Sequence, residues 1–194
     1  MAANNRSITI EVVRDGNMEQ CRELCTELMD FQKEQAVFGK ELFEKMNFDT
    51  RMKKSYEAAQ ASHIVVARDG ETPIGYVFST IDSTEENRGG IPAWAPVKPG
   101  EKVMGLYPDW PNLPTKVGCL SNLYFRDTYR GLGLGTKLFG MALEWLESFA
   151  DVNLIFVYVS NGNDTALKFY LDHGFAYSHE VYGGFIKAAY KYKQ

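Results

Sequence analysis

The segment from Gly118 to Val159 limits most sharply what this chain of 194 residues can fold into. Gly118 to Phe125 (G-C-L-S-N-L-Y-F) reads as a strand, and the helix pattern over Thr136 to Ala150 places Leu138, Met141, Ala142, Trp145 and Phe149 on one stripe. Leu154 to Val159 (L-I-F-V-Y-V) is almost continuously apolar, the mark of a strand covered on both faces. Strand, helix, strand with buried partners implies a parallel crossover of right-handed sense.

The flanking sequence predicts the rest of one α/β domain over residues 1–194: a mixed, mostly antiparallel sheet with that single crossover and helices on both faces. Ile8 to Val13 is a β-branched strand. A helix from Met18, with Asn17 as its N-cap, aligns Cys21, Leu24, Cys25, Leu28 and Phe31, and a second helical region covers Lys40 to Gln60. His63 to Arg68 and Ile74 to Thr80 flank the turn sequence Asp69-Gly70-Glu71-Thr72-Pro73, so a hairpin is expected. A short helix, Asp164 to Asp172, ends at Gly174 as a left-handed cap, and strands near Ala176 to Val181 and Phe185 to Tyr192 finish the sheet. Residues 83–117 break all periodicity and hold six of the seven prolines with Trp94 and Trp110, an irregular insertion whose aromatics either wall a pocket or staple the loop down.

Composition removes several classes of function. A net charge of −4 with no basic run disfavours nucleic acid as a partner. No apolar run has the length of a membrane span and Met1 to Thr9 lacks the apolar segment of a secretion signal, so a cytoplasmic protein is expected. Cys21, Cys25 and Cys119 show neither C-x-x-C spacing nor metal-ligand spacing with His63, His173 or His179, so no metal is expected and the thiols read as small buried hydrophobes. The acidic helix face Glu19, Glu23, Glu27 and Asp30 would draw an amine or, more simply, be solvated.

Function is carried by Arg130-Gly131-Leu132-Gly133-Leu134-Gly135-Thr136, between predicted strand and helix. Three glycines let successive amides turn toward one point, and the helix end adds its positive pole, which together make a phosphate cradle. Thr136 stands where the dinucleotide fingerprint needs its third glycine, and the Walker spacing fails because Gly135 comes too early, so a nucleotide-binding switch is disfavoured. Four amides on a diphosphate would contribute about 6 to 12 kcal/mol gross. Arg126, Arg130 and Lys137 outnumber Asp127 there, so the local charge suits an anion despite the acidic whole.

These residues resemble the acetyl-CoA signature of the GNAT N-acetyltransferase superfamily. Arg130, Gly133 and Gly135 meet its Arg/Gln-x-x-Gly-x-Gly/Ala pattern, and Asn163, Ala166, Tyr170, Gly174 and Phe175 meet a second block, Asn-x-x-Ala-x-x-x-Tyr-x-x-x-Gly-Phe. The resemblance implies acetyl-CoA as cosubstrate and transfer of its acetyl group to a primary amine of a small molecule or peptide, by direct attack on the thioester. It implies that Leu123 and Phe125, with Tyr124 between them, offer edge-strand groups to the pantetheine arm. Arg130, Gly131, Leu132, Gly133, Leu134, Gly135 and Thr136 would bind the pyrophosphate. Asn163 would contact pantetheine or orient the end of the neighbouring strand, and Tyr170 would face the sulfur.

The sequence departs from the family pattern in two respects. Asp127 stands where a proline is usual, and Ser121 and Asn122 stand where a catalytic glutamate often lies, so the base is open among Glu180, Asp82 and the 83–117 loop. An idle acyl-CoA-binding or regulatory module is the alternative that the missing glutamate leaves. A phenol of ordinary pKa about 10 is a weaker acid than a thiol of about 8.5, so Tyr170 is expected to stabilise the leaving thiolate by hydrogen bonding. Exposed final strands would allow a homodimer by edge pairing.

Overall fold

A computed structural model describes residues 7–85, 90–98 and 100–193. Glu86, Arg88 and Pro99, part of the expected insertion, lie outside the described residues. Seven strands form one sheet in the order β1-β2-β3-β4-β5-β7-β6: β1 (Ile8–Val12), β2 (Ala61–Asp69), β3 (Thr72–Ser83), β4 (Lys116–Phe125), β5 (Leu154–Ser160), β6 (Ala176–Val181) and β7 (Ile186–Tyr192). Every neighbouring pair is antiparallel except β4 with β5. This is the mixed sheet with one parallel pair that the apolar run at Leu154 to Val159 demanded.

Helices cover both faces. Of these, α4 (Leu134–Glu147) and α5 (Asp164–Asp172) lie on one face, where Leu138, Phe139, Ala142, Leu146 and Tyr170 pack on Val65, Val77, Leu120, Ile155 and Val157. On the other, α1 (Arg22–Gln35) sets Leu24, Cys25, Leu28 and Met29 against Ile64, Val66, Tyr76 and Phe78. Val65 and Val77 face one layer while Ile64, Val66, Tyr76 and Phe78 face the other, the period of two that buries both sides of a central strand. Cys21 and Cys25 are fully buried in this second layer, as expected of small hydrophobes. No described helix is long and apolar enough to cross a membrane.

Two elements differ from the sequence reading. Asn17 does not cap a helix by its side chain: a 3-10 turn, Met18–Cys21, comes first, the Gln20 side-chain Nε2 donates to the Asn17 carbonyl at 2.9 Å, and α1 begins at Arg22. The expected helix over Lys40 to Gln60 is broken into α2 (Lys40–Phe43), a π-helical turn (Asp49–Lys53) and α3 (Lys54–Ala58). Asn47 is the reason for the break. Its side-chain oxygen accepts the amides of Asp49 and Thr50 at 2.9 and 3.0 Å, a local bond that competes with helix continuation.

Between residues 104 and 117 the irregular insertion is stapled down by its aromatics. Trp110 packs against Phe156 and Tyr190, and Tyr107 packs edge-on to Phe156. Trp94 meets Tyr182 and Phe185. Of the two readings of these aromatics, the tryptophans take the stapling role, whereas Tyr107 also borders the cavity described below.

The link from α1 to α2 is fixed by Asn161, which follows β5 and is 3% exposed. It accepts the amides of Val37 and Phe38 at 2.8 and 3.2 Å and donates to the carbonyls of Phe38 and Phe185 at 3.3 and 3.1 Å. Replacing it strands four main-chain groups, at about 1 kcal/mol each. Asn161→Ala is therefore expected to lower the unfolding free energy by about 2 to 4 kcal/mol in urea titrations, and a loss under about 1 kcal/mol would contradict this anchoring role.

Candidate active site

The loop from Arg130 to Thr136 has the geometry that its glycines foretold. Gly131 and Gly133 take left-handed conformations, φ +75° and +74°, and Gly133 is the N-cap of α4 without any side-chain bond to the helix amides. Among the described residues, no amide from Gly131 through Thr136 donates a hydrogen bond within the fold. A methyl group at Gly131, Gly133 or Gly135 would meet nothing within 4 Å, so these amides border open space at the positive end of a 14-residue helix. An anion such as a diphosphate fits them.

Arg130 is held differently from the neighbouring amides. Its guanidinium donates to the Phe125 carbonyl at 3.2 Å, pairs with Asp127 at 2.9 Å and lies over the Phe31 ring at 4.8 Å. The side chain thus braces the turn from β4 into the loop and adds positive charge beside it.

Strand β4 leads into that loop with one edge open. It pairs with β3 along its length but with β5 only through Gly118, Cys119 and Leu120. The β3 register slips at Ser121, a bulge, and from there β4 diverges from β5. Arg126 donates its amide to Ile74 at 3.0 Å. Hydrogen-bonded pairs alternate in an antiparallel ladder, so Asn122 and Tyr124 also bond toward β3, and Leu123 and Phe125 turn their main-chain groups to the open edge. Tyr124 contributes no main-chain group there, and its hydroxyl donates to Glu27 at 3.4 Å.

On the α1 face, a cavity of about 300 Å³ lies under the middle of β4. Asp82, Thr80, Cys119, Ser121, Tyr107 and Arg51 are among the residues that line it. Asp82 accepts the Thr80 hydroxyl at 2.9 Å, and Thr80 lies 3.3 Å from the Ser121 hydroxyl, a polar chain from the acid to the bulge. Burial pushes the Asp82 carboxyl above its ordinary value, against the Thr80 bond, which lowers it. The same burial pushes the Cys119 thiol up to about 12, so it is no thiolate at neutral pH. The acidic face of α1 does not serve this cavity: Glu23 and Glu27 pair with Arg126 at 2.9 and 2.7 Å, and Glu19 pairs with Arg22. Glu19, Glu23 and Glu27 are thus engaged in ion pairs, while Asp30, the fourth acid of that face, is exposed and has no ion pair among the described residues.

The second motif block lies at the other side of the split strands. Asn163 is the N-cap of α5, its side chain accepting the Ala166 amide at 3.2 Å, and Gly174 has φ +86° directly after the helix, as its capping role required. Tyr170 is buried among Phe139, Phe169 and Phe175. Burial, with the Cys119 thiol in electrostatic reach, pushes its phenol far above the ordinary range, and its hydroxyl makes no hydrogen bond with any described residue. Glu180, the other carboxylate considered from sequence, follows His179 on β6 and is not among the residues lining the cavity.

Arg51 was not visible as a site residue in the sequence. It sits in a stretch that reads as helix, and only the π-helical turn aims it at the cavity.

No curated protein matches the chain in sequence. Solved structures share its fold at low identity. The PaiA N-acetyltransferase of Thermoplasma acidophilum, solved with coenzyme A, superposes with a TM-score of 0.63 at 16% identity, over 96% of this chain and 99% of that one. Naa50 of Arabidopsis thaliana, solved with the bisubstrate analogue CoA-Ac-MVNAL, gives 0.57 at 16% identity over 95% and 98%. Arabidopsis NAA60 with acetyl-CoA gives 0.54 at 13% identity over 96% and 97%. The model of the Acetyltransferase (GNAT) family matches residues 27–175, which include the open-edged strand, the cradle and the Tyr170 helix. The chain belongs to the GNAT acetyltransferase family.

Proposed function

We propose that the chain transfers the acetyl group of acetyl-CoA to a primary amine, with Asp82 as the group that accepts the amine's proton. The observation that carries this reading is the continuity of three features along one strand: free amides at the start of α4, the open edge of β4, and the acid-bearing cavity beneath Ser121. Bound acetyl-CoA supplies the activated thioester. The amides of Gly131 to Thr136 hold its diphosphate, and the main-chain groups of Leu123 and Phe125 hold the pantetheine arm by strand-like pairing. Asn163 contributes by capping α5, which sets the position of Tyr170.

Asp82 supplies the carboxylate that Ser121 and Asn122 lack. A base works best when its pKa approaches the operating pH, and burial moves Asp82 in that direction. Thr80 and Ser121 form a hydroxyl relay toward the bulge, so the acid need not touch the amine itself. Tyr170 stays protonated throughout the working range and donates to the departing sulfur. The alternative of an idle acyl-CoA-binding module has less support, because a desolvated carboxyl in a cavity beside the open edge is costly unless it is used.

Two variants test these roles. Asp82→Asn is expected to reduce kcat about 10²- to 10³-fold and to abolish the acid limb of the kcat/KM profile, which in the wild type falls as pH drops below the raised Asp82 pKa. The folded state keeps the Asp82 proton to higher pH than the unfolded chain, so stability declines as pH rises through that interval. Asp82→Asn should accordingly melt no lower than wild type at pH 7, and an acid limb that persists in the variant would remove Asp82 as the base. Tyr170→Phe is expected to lower kcat by about 10- to 100-fold with little change in the Kd for acetyl-CoA. Unchanged turnover would remove the role of Tyr170 at the sulfur. Free-thiol release across an amine panel tests the reaction itself: tight acetyl-CoA binding without turnover on any amine would favour the idle module.

A further inference from the structure

We propose that the cavity accepts an amine that also carries a carboxylate, with Arg51 as the residue that binds the carboxylate. The inference rests on the acetyl-transfer reading above and narrows its acceptor to small amino acids or similar amino carboxylates.

Arg51 lines the cavity and is only partly exposed, yet its guanidinium makes no hydrogen bond or ion pair with any described residue. The comparison with the other described arginines is sharp. Arg22 pairs with Glu19 and Asp49, Arg68 with Glu11, Arg126 with Glu23 and Glu27, and Arg130 with Asp127. Arg14, which has no carboxylate partner among the described residues either, is exposed. A partly desolvated guanidinium without a counter-ion is unfavourable, and a bound anion relieves it.

The surroundings do not supply that anion. The strongest electrostatic influences on Arg51 come from Cys25, Cys119, Tyr182 and Tyr76. Burial raises the pKa of every one of them, so all four are neutral at pH 7. Asp82 is shifted by burial and Thr80 alone, with no contribution from Arg51 or from Lys54, which also borders the cavity. One cavity thus holds an acid at one place and a cation at another, and the two do not neutralise each other. An acceptor with an amine at the Asp82 side and a carboxylate at the Arg51 side matches both. The planar fork of a guanidinium suits a carboxylate in particular.

The position is also rigidly built. Phe48 and Met52 are buried on either side of Arg51, the Arg22–Asp49 pair at 2.7 Å ties the turn to α1, and the Arg22 guanidinium lies over Phe48 at 4.2 Å. Asn47 holds the turn's first amides. The π-helical turn therefore presents Arg51 to the cavity without freedom to fold back onto a surface acid.

The test pairs each acceptor with its uncharged counterpart: 4-aminobutyrate with 4-aminobutanamide, alanine with alaninamide, and both sets against a pentapeptide amide. Turnover is read as free thiol at saturating acetyl-CoA, and acceptor binding is read by calorimetry on the CoA-loaded protein. The loss of a charged hydrogen bond corresponds to about 10- to 100-fold in affinity. Wild type is expected to favour the carboxylate of at least one pair by about 30-fold in kcat/KM, with the ratio falling to within about threefold in Arg51→Met and partly recovering in Arg51→Lys. A wild-type ratio near one in every pair, a preference for the peptide amide, or a ratio that survives Arg51→Met would overturn the proposal. If no acceptor releases thiol, the acetyl-transfer reading fails and calorimetry decides Arg51 separately. Carboxylate binding that is present in wild type and lost in Arg51→Met upholds the anion site, and no carboxylate binding to wild type overturns it. Arg51→Gln replaces Arg51→Met if the latter does not fold.

Discussion

The divergence of β4 from β5 after Leu120 is the constraint on which the rest of the structure depends. A central strand normally has its main-chain groups bonded on both sides, and an unpaired edge in the middle of a sheet is costly unless something pairs with it. Here the bulge at Ser121 ends the parallel pairing and leaves Leu123 and Phe125 facing a gap. Tyr170 is buried in the α4–α5 layer, on the sheet face opposite the cavity that holds Asp82. A ligand entering the gap would meet groups from both layers of the protein, which are otherwise separated by the sheet.

The cradle and the cavity use opposite strategies toward water. The residues of the glycine loop are largely exposed, so its free amides are solvated and their presence carries no burial penalty. Positive φ at Gly131 and Gly133 fixes their direction in advance, which reduces the ordering cost of binding an anion. The cavity works by exclusion of water. Burial pushes Asp82, Cys119 and Tyr170 toward their neutral forms, far enough for Cys119 and Tyr170 to stay protonated at neutral pH.

The sequence disclosed those features that rest on local chemistry. Glycine spacing announced the turns at Gly131 and Gly133, where the backbone takes the left-handed conformation that favours glycine. The unbroken apolar run at Leu154 announced a strand buried on both faces. The capping role of Gly174 followed from residue type and position, whereas the N-cap role of Asn163 emerged only with the structure. Features made by long-range packing were hidden. Asn17 has the right chemistry for a cap, but the 3-10 turn after it displaced the helix start. Lys40 to Gln60 has helical composition, and the two amide bonds accepted by the Asn47 side chain broke it. Asp82 was one carboxylate among several until its bond from Thr80 within β3, and the β3–β4 pairing that sets Thr80 near Ser121, placed it at the cavity. Arg51 gave no signal at all, because the absence of a partner is visible only when every neighbour is in place.

The central claim is that the main-chain amides from Gly131 to Thr136 hold the diphosphate of coenzyme A. Amide-resolved NMR titration with CoA, and in parallel with pantetheine, which lacks the diphosphate, tests it most directly. Large shifts of the Gly131, Gly133 and Gly135 amides are expected on saturation with CoA, with little movement of them on adding pantetheine. Saturable CoA binding that leaves those three amides unmoved would contradict it.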